Sequence, residues 1–520
     1  MAAERVWSDQ QKKIFDWFKS GSGNLVVRAR AGTGKTTTIV EAIGHAPEGR
    51  ILLCAFNKRI ATELQGRLSN PSAEAATLHS VGFASVRRFW ERIRIDDKGA
   101  RKEWLARQAC GDRTPDAIVK LVGKLHTLGR EMAPLATTWQ ELRSLAMVHD
   151  CVPDLDWAED GFDVDKVASL ALDAMKLAAE RPVATGIDFS DMLFLPVRNK
   201  WLRPKYDLIV VDECQDMNAT QLLIAKGVSA GRTVVVGDDR QAIYGFRGAD
   251  SGSLDRLKAE LDATELGLTV TYRCGQAIVQ QAQEIVPDFY AAPSNGPGEI
   301  MRAPVAQLPA MVAVGDFVLS RKNAPLATIA LRILRAGKRA KIEGKDIGAG
   351  LRALVNKVAT GKAKGSMPEF LGKLTTWEAK EVARCEKSAD ANAEARIERV
   401  RDQAETLRAL ADGLSGVPEL QARIDDLFSD SGGPRVICSS VHRAKGLEAD
   451  RVFVLTDTLI RELPCKCKHW AGSHRSGSGC AECSCARFCD DAARKIEEQN
   501  IEYVAITRAK HVLVWVDGLP

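Results

Sequence analysis

Residues 24–43 read NLVVRARAGTGKTTTIVEAI: a short apolar run of β character, a loop carrying Gly32 and Gly34, then a helical pattern that opens on Lys35. Glycine in such a loop lets the backbone turn N–H groups toward an anion, and the positive end of the following helix reinforces the attraction. Lys35 supplies a charge for β- and γ-phosphates, and Thr36 a hydroxyl for Mg²⁺; Thr33 and Thr37 flank them. The pattern is AxxxxGKT, with Ala29 standing where a phosphate loop usually has glycine. Strand, phosphate loop and helix in this order predict an α/β fold, and ATP is the expected ligand.

The second half of such a site lies at 208–216, LIVVDECQD. Four apolar residues make a buried strand whose end presents Asp212 to hold Mg²⁺ and Glu213 to orient or deprotonate an attacking water. Without the phosphate loop, this carboxylate pair would read as solvated turn chemistry. Together the two halves point to hydrolysis of a γ-phosphate, and their separation places an insertion inside the first nucleotide-binding domain.

Further strand-like runs fall at 51–55, 233–236, 317–319, 436–439, 452–455 and 511–516, alternating with helical stretches as parallel sheets with both faces covered require. Two segments are mainly helical. Residues 85–184 carry apolar positions at helical spacing, as in AIVKLVGKLHTL; residues 346–434 contain a charged helical run from 376 to 414, in which EKSADANAEARIERVRDQAE reads as one solvated helix. The predicted organisation is a first α/β domain over 1–84 and 185–268 with a helical insertion at 85–184. A second follows over 269–345 and 435–520, with a helical insertion at 346–434 and a Cys/His-rich module at 463–490.

The composition suits this plan. The chain has 520 residues, 45 % hydrophobic and 27 % charged, which excludes a disordered or fibrous chain. Lys and Arg number 73 against 68 Asp and Glu, a net charge of +5, so any nucleic-acid site must be a local patch. No apolar stretch is long enough to span a membrane, and the N-terminus MAAERVWSDQQKK lacks a secretory pattern, so a cytoplasmic, nucleoid-associated or (for a phage protein) host-cytoplasmic setting is expected.

From VVVGDDRQAIYGFRGAD at 234–250 the sequence resembles the UvrD/Rep/PcrA-like helicases of superfamily 1. The other motifs occur in the family's order: SDQQ, LLCAFNKRIATEL, TLHSVGF, DFSDML, TVTYRC, VHRAKGLE and EEQNIEYVAITRAK. The AFNK and TLHS wording is similar to compact, phage-type or Fbh-like members. The resemblance implies two RecA-like P-loop domains closing on ATP to step along single-stranded DNA, with 3′ to 5′ polarity. Its partners would be single-stranded and partially duplex DNA together with replication or recombination proteins.

Residue roles follow where the motifs match. Gln11 corresponds to the residue that reads adenine, Gln241 to a γ-phosphate sensor, Arg273 and Arg508 to arginines reaching the γ-phosphate from the second domain, and Glu448 to a link between that domain and the nucleotide. For DNA, Tyr244 and Phe246 would stack on bases, a contact indifferent to sequence. Phe56, Asn57, Thr77, His79, Arg247 and His442 are further candidates along the strand. Two departures stand out: Asn500 replaces the usual Arg of the EExR pattern, expected to weaken a local ion pair, and Cys214 fills the variable position of DExQD.

Thirteen cysteines are present, six of them between 465 and 489. Cys465, Cys467, His469, His474, Cys480, Cys483, Cys485 and Cys489 offer enough soft ligands for one structural Zn²⁺ site or two. An iron–sulfur cluster and an unliganded or redox-active loop remain alternatives, since the spacings match no single metal pattern. Two rival functions also stay open: a single-strand translocase that strips proteins without unwinding, and an ATP-gated DNA-binding scaffold. A fused nuclease is not expected, because the sequence ends ten residues beyond Lys510.

Overall fold

A computed structural model describes residues 6–519, apart from 56, 97–98, 150, 154–160, 183–185, 244–252, 388–392, 430–432, 462–473, 476–478 and 481–491. The first α/β body contains β1 (Asn24–Ala29), β2 (Ile51–Ala55), β3 (Ala73–Thr77), β4 (Tyr206–Val211), β5 (Ser229–Gly237) and β6 (Ala263–Leu268). They form one sheet in the order β3-β2-β4-β5-β1-β6, every neighbouring pair parallel. The continuous apolar runs have their reason here. Leu25, Val27, Ile51, Leu53, Leu208 and Val210 enter the core on one face, whereas Val26, Leu52, Cys54, Ile209 and Val211 enter that on the other. The strands β3, AEAAT, and β6, ATELGL, had no clear signal; both lie at sheet edges, where one partner and few β-branched residues suffice.

The second body begins with a short ladder between β7 (Val270–Thr271) and β8 (Tyr290–Ala291). It continues with β9 (Glu299–Pro304), β10 (Phe317–Ser320), β11 (Ala340–Ile342), β12 (Val436–Ser440) and β13 (Ala449–Leu455). Next come β14 (His474–Arg475) and β15 (Gly479–Cys480), then β16 (Ala509–Asp517). The main sheet runs β11-β12-β10-β13-β16-β9, again parallel throughout.

Between β3 and β4, helices Ala100–Cys110, Asp116–Met132, Trp139–Val148 and Val164–Ala178 enclose a separate core around Leu105, Val122, Leu142, Ala171 and Met175. Buried charges fasten it to helix Phe189–Arg198, which leads into β4: Arg130 Nη1 donates to Asp191 Oδ1 at 2.7 Å and Asp188 Oδ1 at 2.9 Å, while Arg101 Nε donates to Asp191 Oδ2 at 3.1 Å. Burial pushes the Asp191 carboxyl up, against the pull of Arg130. Asp191→Ala leaves the buried Arg101 without a carboxylate and Arg130 with Asp188 alone, and is expected to cost about 3–5 kcal/mol, read as a lowered Tm and an earlier urea midpoint; an unchanged melt would contradict this anchoring.

Around 346–434 one expectation is corrected. The run 376–414 is not a single helix, and EKSADANAEARIERVRDQAE is not one solvated helix: helices Met367–Lys387 and Ala393–Ala411 fold back on each other. The charged surface masks an apolar seam in which Ala404, Leu407 and Leu410 join Phe370, Leu374 and the core of the second sheet. Among the described residues no helix is long and apolar enough to cross a membrane.

Candidate nucleotide and DNA site

Sheet order explains how residues distant in sequence meet. Strands β4, β5 and β1 are neighbours, so Asp212 and Glu213 after β4, Gln241 after β5 and Lys35 after β1 converge at one set of carboxyl ends, where open α/β sheets place ligands. Gly34 takes φ +74° as the N-cap of helix Lys35–Gly44, and Gly32 takes φ +67°. A Cβ on Gly32 would lie 2.6 Å from both Thr271 Oγ1 and Arg273 Cβ, so only glycine lets the second body approach this closely. The positive-φ glycines and the helix N-terminus form a cradle that fits a phosphate group.

Lys35 Nζ lies 2.6 Å from Glu213 Oε1 and 3.6 Å from Asp212 Oδ1. Burial alone would lower its pKa, but the two carboxylates reverse that and hold the ammonium firmly charged. Glu213 is drawn down to about 2, Lys35 outweighing burial, whereas Asp212 is pushed up by burial and by Glu213. Glu213 adopts φ +54°, a left-handed conformation that a non-glycine residue holds only under strain of about 1–3 kcal/mol. Gln215 ties the carboxylates to the segment that carries Gln241: its Nε2 donates to Glu213 Oε2 at 2.6 Å and its Oε1 accepts from the Asp238 N–H at 3.1 Å. Gln241 Nε2 in turn donates to Asp238 Oδ2 at 2.8 Å. The Thr36 hydroxyl donates to Asp212 Oδ2 at 3.0 Å, so these two hard oxygen donors already sit together and fit Mg²⁺.

Gln11 stands beside the loop. Its Nε2 donates to Thr38 Oγ1 at 2.9 Å and its Oε1 accepts from the Ser8 N–H at 3.0 Å, completing a capping box on helix Asp9–Ser20. Ala29 closes β1; Thr33 Oγ1 donates to the Arg30 carbonyl, and Thr37 Oγ1 accepts from Arg67.

The second body contributes through its own motifs. Glu448 and Arg508 stand directly ahead of the neighbouring strands β13 and β16. Arg273 Nε is 2.6 Å from Glu448 Oε2, and the Tyr272 N–H donates to the Gly32 carbonyl at 2.9 Å, bringing Arg273 against the phosphate loop. Arg508 is placed differently. It is 1 % exposed, and its guanidinium donates to the carbonyls of Val504 and Leu447, both at 3.0 Å, and to Thr507 Oγ1. Burial, then the nearby Arg273, lowers its pKa to about 10.

Four more residues bridge the bodies, and the motif reading assigned none of them a site role. Lys445 Nζ donates to Asp216 at 2.7 and 2.8 Å and to the Gln241 carbonyl at 2.7 Å. Tyr503 accepts from the Ala31 N–H at 3.1 Å, and Arg30 reaches Asp288 as well as Asp238. Asn500, expected only to weaken an ion pair, donates from Nδ2 to the carbonyls of Asp239 and Ala242 at 3.1 Å each, bracketing Gln241 from across the interface. Their signal was membership of the quoted motifs; which motif residues turn inward was not visible.

The DNA candidates line up in part. Asn57 follows β2 and Thr77 ends β3, continuing the same row of carboxyl ends; both serve as N-caps, accepting from the Ile60 and Ser80 N–H groups. His79 is half-buried against the exposed Phe189 ring, and burial lowers its pKa. His442, in the short helix after β12, is driven down to about 3 by burial and then by Arg321 and Lys445. Phe56, Tyr244, Phe246 and Arg247 lie outside the described residues. So do Cys465, Cys467, His469, Cys483, Cys485 and Cys489; His474 and Cys480 pair across the β14–β15 ladder. Among the described residues, no group of three or more potential ligands forms a metal site.

Residues 7–262 match the UvrD/REP helicase N-terminal domain and residues 362–516 the UvrD-like helicase C-terminal domain. The ATP-dependent DNA helicase UvrD2 of Mycobacterium tuberculosis is 27 % identical over 300 residues, covering 51 % of this chain and 41 % of the relative. F-box DNA helicase protein 1 of Schizosaccharomyces pombe is 24 % identical over 550 residues, covering 98 % of this chain and 57 % of the relative. DNA helicase II of Haemophilus influenzae is 24 % identical over 289 residues, covering 51 % of this chain and 38 % of the relative. The chain thus spans about half the length of the curated relatives it matches.

Proposed function

This chain belongs to the UvrD/Rep helicase family, and from that premise we propose that it is an ATP-dependent DNA helicase built on two RecA-like domains, translocating 3′ to 5′ on single-stranded DNA and unwinding duplex DNA in replication, recombination or repair. The observation that carries the reading is the phosphate loop caught between the two bodies: Gly32 abuts Thr271 and Arg273, Lys445 grips Asp216 and the Gln241 carbonyl, and Asn500 brackets Gln241. A site made of both bodies can sense their closure.

Gly32 to Thr36 cradle the phosphates of ATP, with Thr36 and Asp212 holding Mg²⁺, which neutralises phosphate charge when bound. Lys35 exchanges its pairing with Glu213 for the phosphates, which leaves Glu213 free to orient water. Arg273 stabilises the charge that spreads over the γ-phosphate, Arg508 supports it from within the second body by holding the turn whose Thr507 carbonyl receives Arg273, and Gln241 relays the nucleotide state to the segment that follows it. Gln11 reads the adenine and Glu448 links the second body to the nucleotide. Asn57, Thr77, His79 and His442, with Phe56, Tyr244, Phe246 and Arg247, contact the single strand.

Strand displacement on partial duplexes with a 3′ tail, a 5′ tail or no tail, with phosphate release followed in the same tubes, tests the reading. Unwinding from the 3′ tail alone supports it. DNA-stimulated hydrolysis without unwinding would favour the translocase, and absence of hydrolysis the scaffold.

The Cys465–Cys489 segment is proposed as a zinc module on its sequence alone, eight soft ligands in a stretch with almost no apolar core. Metal analysis of the purified chain should find stoichiometric zinc, and chelation should lower Tm; a metal-free chain with an unchanged melt would remove the module.

A further inference from the structure

We propose that Phe89, Trp201 and the cations around them form a second site for single-stranded nucleic acid, separate from the groove at the carboxyl ends of the sheet. Helix Leu78–Phe89 starts at Thr77, on that groove, and its 12 residues carry Phe89 about 18 Å away at ~1.5 Å per residue. There Phe89 stacks on Trp201 with ring centroids 4.8 Å apart and 14° between planes, and Trp90 meets the same indole edge-on at 5.0 Å. Trp201 lies only five positions ahead of Tyr206, the first residue of β4, so the three rings sit at the amino end of the sheet, opposite the groove.

Trp90 and Trp201 pack on the core of the helical insertion, and Phe89, 44 % exposed, ends the ring ladder at solvent. The charge around it is mainly basic, although Lys205 pairs with Glu74 at 3.0 Å and Arg198 donates to the Pro134 and Ala136 carbonyls. Residues 87–96 and 198–205 together contain eight Lys or Arg against two acids, and one of the two, Asp96, is buried and accepts from the Arg101 N–H. Arg87, Arg88, Lys200 and Arg203 are exposed and have no ion-pair partner among the described residues. An open aromatic face for a base, rimmed by unpaired cations for phosphates, is the combination that holds single strands without regard to sequence. A strand lying along the groove does not reach the opposite end of the sheet, so the occupant is another single-stranded segment, such as the strand released when a duplex is opened. That last identification rests on the helicase reading; the site itself rests on the rings and charges.

The test compares the full-length chain binding two DNAs: a duplex with one 3′ oligothymidylate tail, and a fork with both tails single-stranded. Wild type should bind the fork at least about fivefold more tightly, the factor set by stacking one base. The triple substitution Arg87→Ala, Arg88→Ala, Phe89→Ala should abolish that difference and lower the salt slope of fork binding by about 0.7 per cation removed. It should leave binding of the 3′-tailed duplex, and the hydrolysis that duplex stimulates, unchanged. This last readout reports on the motor independently, so loss of stimulated hydrolysis in wild type would overturn the helicase reading rather than this one. Photocrosslinking from 5-iodouracil in the second tail should label the peptides containing 87–92 or 198–203, a readout that survives even if the triple variant folds poorly. Equal binding of the two DNAs by wild type, or crosslinks elsewhere, would overturn the proposal. So would a triple variant whose only change is loss of self-association in sedimentation, which would make the patch a contact between copies of this chain.

Discussion

Glu213→Gln is expected to slow ATP turnover by about 10²- to 10⁴-fold while nucleotide binding stays close to wild type. The substitution keeps the size of the side chain and its contact with Gln215 but removes the charge that the site has been built to hold. In the free protein that charge is paired with Lys35 at 2.6 Å and drawn down to about 2, so it is fully ionised at any working pH. Ionisation alone does not make a base. The left-handed backbone at Glu213, φ +54°, is strain held in the turn directly after β4, beside Asp212. When the phosphates take over Lys35, Glu213 becomes an unpaired carboxylate next to the reacting group. Lys35→Ala makes the contrasting control, since it should weaken nucleotide binding and turnover together. Rapid-quench hydrolysis with a separate nucleotide-binding titration distinguishes the two, and near-normal turnover in Glu213→Gln would take Glu213 out of the chemistry.

Arg273→Ala and Arg508→Ala should diverge, although the sequence motifs present them as equivalent. Arg273 lies against Gly32 and is held by Glu448 and the Thr507 carbonyl, at the rim of the phosphate cradle. Its loss should cost about 10³- to 10⁵-fold in turnover, the usual effect of removing an arginine finger, with little change in Tm. Arg508 is enclosed in the second body, donating to two main-chain carbonyls and the Thr507 hydroxyl, with no carboxylate at ion-pair distance among the described residues. Arg508→Ala leaves the Leu447 carbonyl unpaired, at about 1–3 kcal/mol, and takes one of two donors from the Val504 carbonyl, so it should lower Tm as well as turnover. Single-turnover phosphate release beside thermal melts gives both readouts. A large turnover loss in Arg508→Ala with an unchanged melt, and a mild one in Arg273→Ala, would exchange the two roles.

Much of the architecture was legible before any tertiary contact was known. The core strands announce themselves because a parallel strand buried on both faces must be apolar at every position, as Leu25 to Val27 and Leu208 to Val211 are. The phosphate loop is equally legible, because few residue types can take φ +67° and +74° and still leave room for a phosphate. Edge strands such as β3 and β9 gave little signal, since one partner and one covered face place weak demands on composition. The helix at 393–411 misled for a related reason: its surface charges outnumber the Ala404, Leu407 and Leu410 seam that decides where it packs.

By itself, then, the sequence determined the two parallel sheets, the carboxylates and lysine that meet after β4 and β1 and the family to which the chain belongs, because each depends on residue types at fixed short spacing. Only the tertiary structure decided which motif residues face the cleft. Lys445, Asn500 and Tyr503 act through hydrogen bonds to groups more than 200 positions away, and Arg508 turns inward where Arg273 turns toward the loop. Such choices depend on how two separately folded sheets are apposed, and no local pattern of residues encodes that apposition.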